Sequence, residues 1–150
     1  MRTGHKTRGV RPAPLPFATA QLLRRADAEL LAARFTAEPD EQFVHAHLAA
    51  LRAAAALVAA WGAPTRRGGP RAVWDLLART APEFEKWTAY FASGAQARAD
   101  IEAGVEDVVT ADRAGEVLAT AEDFVDEIRI ALEESSAAGA AERGPGAKVG

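Results

Sequence analysis

The stretch DEQFVHAHLAALRAAAALVAAW, Asp40 to Trp61, decides the fold. One apolar row runs Val44, Leu48, Leu51, Ala55, Val58, and a second runs beside it as Phe43, His47, Ala50, Ala54, Leu57, Trp61. Both rows keep the alternating three-and-four spacing of an α-helix, and at 3.6 residues per turn the segment makes about six turns. An apolar arc this wide is too broad for a single neighbour. It predicts a helix packed against at least two others in a bundle.

The flanking sequence supplies those neighbours. Pro16 opens a first helix whose buried edge is expected at Leu22, Leu23, Ala26, Leu30 and Ala33, with Arg24, Arg25, Asp27 and Arg34 toward water. Thr36 to Pro39 form a turn, and Pro39-Asp40 suits the start of the central helix, with Glu41 placed favourably against the helix dipole. After Trp61, the run Gly62 to Arg71 holds two prolines and three glycines, so a basic loop is expected there. A short helix at Ala72 to Arg79 presents Val73, Trp74 and Leu77. Thr80, Pro82 and Glu83 stand in the order of a capping box, which predicts one continuous helix from Pro82 to Ala103 with Phe84, Trp87, Phe91, Ala95 and Ile101 inward and Gly104 as its stop. Val105 to Val109 reads as a packed connector. Thr110 then caps a last helix with the row Ala114, Val117, Leu118, Ala121, Phe124, Val125, Ile128, Leu132. The expected architecture is all-α, an antiparallel helical bundle of four long helices plus one short helix over residues 17–134, between a mobile basic leader at 1–16 and a disordered tail at 135–150.

A chain of 150 residues with 49% hydrophobic and 26% charged residues fits one domain with a real core. The absence of cysteine excludes disulfides and thiolate metal sites and accords with a reducing compartment. The apolar run Ala53 to Trp61 is short for a membrane span, and the Arg-containing start leads into Pro-rich sequence, so a cytoplasmic protein without membrane contact is expected. The net charge of -3 conceals a polarity. Through Arg34 the basic residues far outnumber Asp27 and Glu29, whereas from Asp100 to Glu134 only Arg113 and Arg129 oppose a dense acidic set. Such asymmetry favours attraction between helices or between copies over a face for a polyanion.

Acid-base chemistry has only His5, His45 and His47 to draw on besides carboxylates. His5 lies in the leader. His45 and His47 are two apart, about 200 degrees around a helix, and cannot chelate one ion together. His47 falls in a core row and reads as a hydrogen-bonded structural histidine, while His45, Glu41 and Arg52 form a candidate polar site on the less apolar side. The last helix pairs Glu122 with Asp126 and Asp123 with Glu127, but no Glu-x-x-His accompanies them, so no metal and no cofactor are expected. Arg66, Arg67 and Arg71 are the candidate nucleic-acid-binding residues, able to fork onto phosphates, with Trp61 and Trp74 near enough in sequence to stack on bases. No dinucleotide fingerprint, phosphate loop or nucleophile elbow occurs.

The run Phe43-Val-His-Ala-His-Leu-Ala-Ala-Leu-Arg-Ala-Ala-Ala-Ala, followed after the basic loop by Arg71-Ala-Val-Trp-Asp-Leu-Leu-Ala-Arg-Thr-Ala-Pro-Glu-Phe and Trp87-Thr-Ala-Tyr-Phe-Ala, resembles the actinobacterial SAV-like branch of the HEPN helical proteins, over about Phe17 to Glu134. The resemblance implies an antiparallel, often homodimeric helical bundle. Many HEPN domains are ribonucleases that use an Arg followed four to six residues later by His near the final helix. Here neither His45 nor His47 has such an Arg upstream, and the helix beginning near Arg113 has no histidine, so no catalytic residue carries over. The expectation is a noncatalytic binding module associated with RNA, single-stranded DNA or nucleotides. The alternative is a protein-interaction module that homodimerises or docks a partner encoded nearby, and a third is a degenerate ribonuclease using His45 and Arg52.

Overall fold

The computed structural model describes residues 14–62 and 70–143, with side chains for all of these but 70, 71 and 140–143. Among these residues six α-helices follow in order: α1 (Phe17–Phe35), α2 (Pro39–Trp61), α3 (Pro70–Thr80), α4 (Glu85–Ala92), α5 (Ala95–Glu102) and α6 (Ala111–Arg143). A 3-10 turn at Pro82–Phe84 leads into α4, and no strand occurs among the described residues.

Helix α2 is the axis of the bundle. Pro39 takes its first position, where a missing N–H costs nothing, and Asp40 and Glu41 sit in its first turn against the positive end of the dipole. Ala46, Ala49, Ala50, Ala53, Ala54 and Ala56 are all fully buried, and their small side chains let α1, α3, α5 and α6 pack around one helix. The whole of α2 is long and apolar enough to cross a bilayer, more than the run Ala53 to Trp61 alone indicates, but here that surface is spent on its neighbours.

Polar contacts fix the directions. Arg34 Nε donates to Glu122 at 2.8 Å and Arg129 Nη2 to Asp27 at 3.0 Å, so seven residues back along α1 match seven forward along α6, and the two helices are antiparallel. Contacts of α2 climb with α6 instead. Asp40 accepts from the amides of Val108 and Val109 at 2.9–3.1 Å, Arg113 lies over the Phe43 ring, and Trp61 Nε1 donates to Ser135 Oγ at 3.0 Å. These partly exposed ion pairs set register more than stability, at about 0–1 kcal/mol each. Between the long helices Phe124 is the aromatic hub, its ring centroid 5.3–6.1 Å from those of Trp74, Phe84, Trp87 and Phe91.

Several expectations need correction. The single helix from Pro82 to Ala103 is a 3-10 turn and two eight-residue helices, broken at Ser93-Gly94, so the bundle is not four long helices plus one short one. The capping box at Thr80 does not form: α3 continues through Thr80, and the following turn has Ala81 before it and no side-chain cap. Thr110 does cap α6, accepting from the Arg113 amide at 3.0 Å. Helix α6 then runs to Arg143, past the expected end at residue 134. Alanine is the strongest helix former, and residues 137, 138, 140 and 141 are alanine. Trp61 and Pro14, Leu15 and Pro16, which precede α1, also flank the segment around Ser135 and Gly139. The expected leader lies outside the described residues up to residue 13. On α1 the buried edge is Thr19, Leu23, Ala26, Leu30 and Ala33, with Leu22 only half-buried.

Candidate functional site

The chemistry-bearing residues that meet in three dimensions are His47 of α2, Arg98 and Glu102 of α5, and Arg113 of α6. His47 is 1% exposed. Its Nε2 lies 2.7 Å from the carbonyl oxygen of Phe91, which can only accept, so Nε2 carries a proton. Its Nδ1 lies 3.1 Å from Arg98 Nε, which can only donate, so Nδ1 is bare. The partners alone therefore fix one neutral tautomer. Desolvation by burial lowers the pKa of His47 below the ordinary 6.5, the Phe91 carbonyl pulls the other way, and the Arg98 and Arg113 guanidiniums lower it further.

Two sequence features build this arrangement. Gly94 sits where α4 turns into α5, and a Cβ there would come within 3.2 Å of Phe43 Cζ and 3.3 Å of His47 Cδ2, both fixed in the core. Glycine thus lets the corner close on α2 and swings α5 across it. Arg98, 8% exposed, then reaches inward with Nε to His47 while Nη1 meets both oxygens of Glu102 at 3.0–3.1 Å, one turn along the same helix. Glu102 is about half exposed, so the guanidinium runs from the core to the surface and its charge is neutralised at the wet end. Arg98 falls on the inner row of the expected 82–103 helix, seven residues beyond Phe91 and three beyond Ala95, so the period itself signalled an inward arginine. Gly94 within that pattern was the signal for the break. Nearby, burial raises the pKa of Tyr90, which faces Thr120, Glu116 and Arg113 of α6.

The residues singled out from sequence are dispersed. His45 Nδ1 lies 2.7 Å from Glu29 Oε1 of α1, not beside Glu41, which instead accepts from Thr36 Oγ1 at 2.9 Å in the turn between α1 and α2. The close antiparallel crossing of α1 supplies a nearer carboxylate than the next turn of α2 does. Arg52 joins neither, and its Nε is buried without a hydrogen-bond partner among the described residues. Arg66 and Arg67 lie outside the described residues, and Arg71 falls in the first turn of α3 with only its backbone described. No group of three metal-ligating side chains occurs among the described residues.

Charge is partitioned along the same line. The described residues hold all 21 acidic residues, whereas seven of the 18 basic ones, Arg2, Lys6, Arg8, Arg11, Arg66, Arg67 and Lys148, lie outside them. The bundle proper is therefore strongly acidic although the chain is nearly neutral.

An all-helical bundle with a closed His–Arg centre and no strand among its described residues defines the class. Residues 32–129 match the family model for the SAV_6107-like HEPN domain, and the chain belongs to that family. Neither a curated protein nor a solved structure matches it.

The lowered pKa of His47 gives stability a pH dependence. Below about pH 6.5 the unfolded chain takes up a proton that folded His47 refuses, so the contribution is full above that value and is lost as the pH falls toward the folded pKa. Gln at position 47 can donate to Phe91 and accept from Arg98 without titrating. His47→Gln is expected to flatten the fall in Tm between about pH 7 and 5 relative to the parent, whereas His47→Ala costs about 2–4 kcal/mol by leaving a cavity and a buried guanidinium without its acceptor. Equal slopes in the parent and His47→Gln would refute the assignment.

Proposed function

We propose that this HEPN domain is a noncatalytic binding module that pairs with a second copy of itself through the outer face of α1. The pairing rests on Phe17, Leu31 and Phe35, which are 73%, 52% and 82% exposed. Phe17 and Phe35 stand about five whole turns apart, and Leu31 one turn before Phe35, so the three share a stripe. An antiparallel two-fold pairing of α1 with its copy seats Phe17 of one chain against Phe35 of the other and sets Arg25 opposite Asp27. The exposed ends of the stripe are thus complementary in hydrophobicity, as a two-fold interface requires, while Arg25 and Asp27, the latter already held by Arg129 of its own chain, lie at its edges.

The noncatalytic part is supported by the histidines. A general base must reach the proton it removes, but both nitrogens of His47 are committed inside the core, and His45 is engaged by Glu29. Association with RNA or single-stranded DNA through Arg66, Arg67 and Arg71 is the second reading, favoured by the concentration of basic residues outside the acidic bundle.

Sedimentation equilibrium of the full chain is expected to give a dimer, and the double variant Leu31→Glu, Phe35→Glu a monomer of unchanged helicity. A monomeric parent contradicts the pairing. Labelled single-stranded RNA is expected to stay intact with the protein and to bind in a salt-sensitive way that Arg66→Ala, Arg67→Ala and Arg71→Ala together abolish. Cleaved RNA would overturn the noncatalytic reading, and undiminished binding by the triple variant would overturn the basic site.

A further inference from the structure

A groove of about 430 Å³ lies between the end of α2, the 3-10 turn before α4 and the C-terminal half of α6. Its α6 wall is Glu127, Ile130, Ala131 and Glu134, a spacing of three, one and three that puts all four on one face, acid at each end and apolar between. The opposite wall is Trp61 and Phe84, with Glu83 at the rim. Two of its apolar side chains face water, Trp61 at 37% exposure and Ile130 at 46%. Trp61 is nonetheless fixed, since its Nε1 donates to Ser135 Oγ. None of the three glutamates makes an ion pair or side-chain hydrogen bond among the described residues.

The groove therefore offers a rigid indole, an apolar floor and free negative charge at fixed spacing. The complement of that face is a helix with basic residues seven apart, about 10 Å along its axis, and two apolar residues between them on the same side. A guanidinium or ammonium beside Trp61 would gain from the ring face as well as from the carboxylates. No described helix of this chain carries that pattern: the residue seven beyond each of Arg24, Arg25, Arg34, Arg52, Arg98, Arg113 and Arg129 is not basic, and Arg79 and Lys86 have Pro82 and Glu83 between them. A second copy thus lacks the matching helix.

We propose that this groove docks a basic amphipathic helix of a partner protein, with its two apolar residues between Ile130 and Trp61 and its flanking cations on Glu127, Glu134 and Glu83. The surface is formed by elements other than α1 and functions independently of the α1 pairing.

The test uses a fluorescein-labelled synthetic helix with Lys residues seven apart around a Leu-Leu pair, titrated with the full chain by anisotropy at low and high salt. Binding that weakens with salt, falls about tenfold or more in Glu127→Lys, Glu134→Lys, and is kept by Asp126→Lys on a neighbouring face of α6 is the expected result. Helicity of each variant is checked by circular dichroism, and Glu127→Gln, Glu134→Gln should show a smaller loss in the same direction. The proposal is overturned by no binding at low salt, by equal binding of a scrambled peptide of the same composition, by an equal loss in Asp126→Lys, or by single-stranded RNA displacing the peptide from the parent and from a variant lacking Arg66, Arg67 and Arg71 alike.

Discussion

The bundle depends on a single imidazole held between a backbone carbonyl and a guanidinium. A buried neutral histidine is costly unless both nitrogens are satisfied. The Phe91 carbonyl satisfies one and Arg98 the other, from two different helices. That demand places the α4–α5 corner: Gly94 must approach His47 closely, α5 must cross α2 at an angle that aims Arg98 inward, and Glu102 must sit one turn later to balance the charge. Around this polar point Phe43 stacks on His47, Arg113 lies over the Phe43 ring, and the Trp74–Phe91–Phe124 cluster packs beside them.

Because the centre is closed, the means of action left to the molecule are on its outside. The described bundle carries an acidic surface, an apolar stripe along α1 and an aromatic groove with unpaired carboxylates, while much of the positive charge belongs to residues 1–13, the segment 63–69 and Lys148. A surface of that kind repels a polyanion over most of its area and attracts basic protein surfaces. A nucleic acid would have to be met by Arg66, Arg67 and their neighbours against the field of the bundle. Membership of the HEPN family does not by itself choose among these features, because a fold does not dictate the function of the sites it carries.

The all-helical class, the central role of α2, the burial of His47 and the apolar row of α6 were legible in the sequence, because each is a periodic signal over many turns. What was hidden depends on contacts between segments distant in the chain. The partner of His45 is Glu29, sixteen residues away, and only the crossing of α1 over α2 decides that against Glu41. Arg98 stands on the inner row of the 82–103 period, seven residues past Phe91, but its acceptor, Nδ1 of His47 fifty-one residues earlier, is fixed only by the crossing of α5 over α2. Helix α6 outlasts its apolar row because alanine propensity and the Trp61–Ser135 contact continue where the hydrophobic period stops. The groove combines residues from three elements, none of which marks it alone.

The most direct test of the closed centre is the long-range proton–nitrogen NMR spectrum of the histidine rings, recorded as a function of pH. His47 is expected to show a protonated Nε2 and a bare Nδ1, unchanged through neutral pH and down past the ordinary 6.5 of a free histidine. A His47 ring that exchanges between tautomers, or that titrates near that ordinary value, would contradict the account, because it would mean that the ring is open to solvent and free to carry a proton.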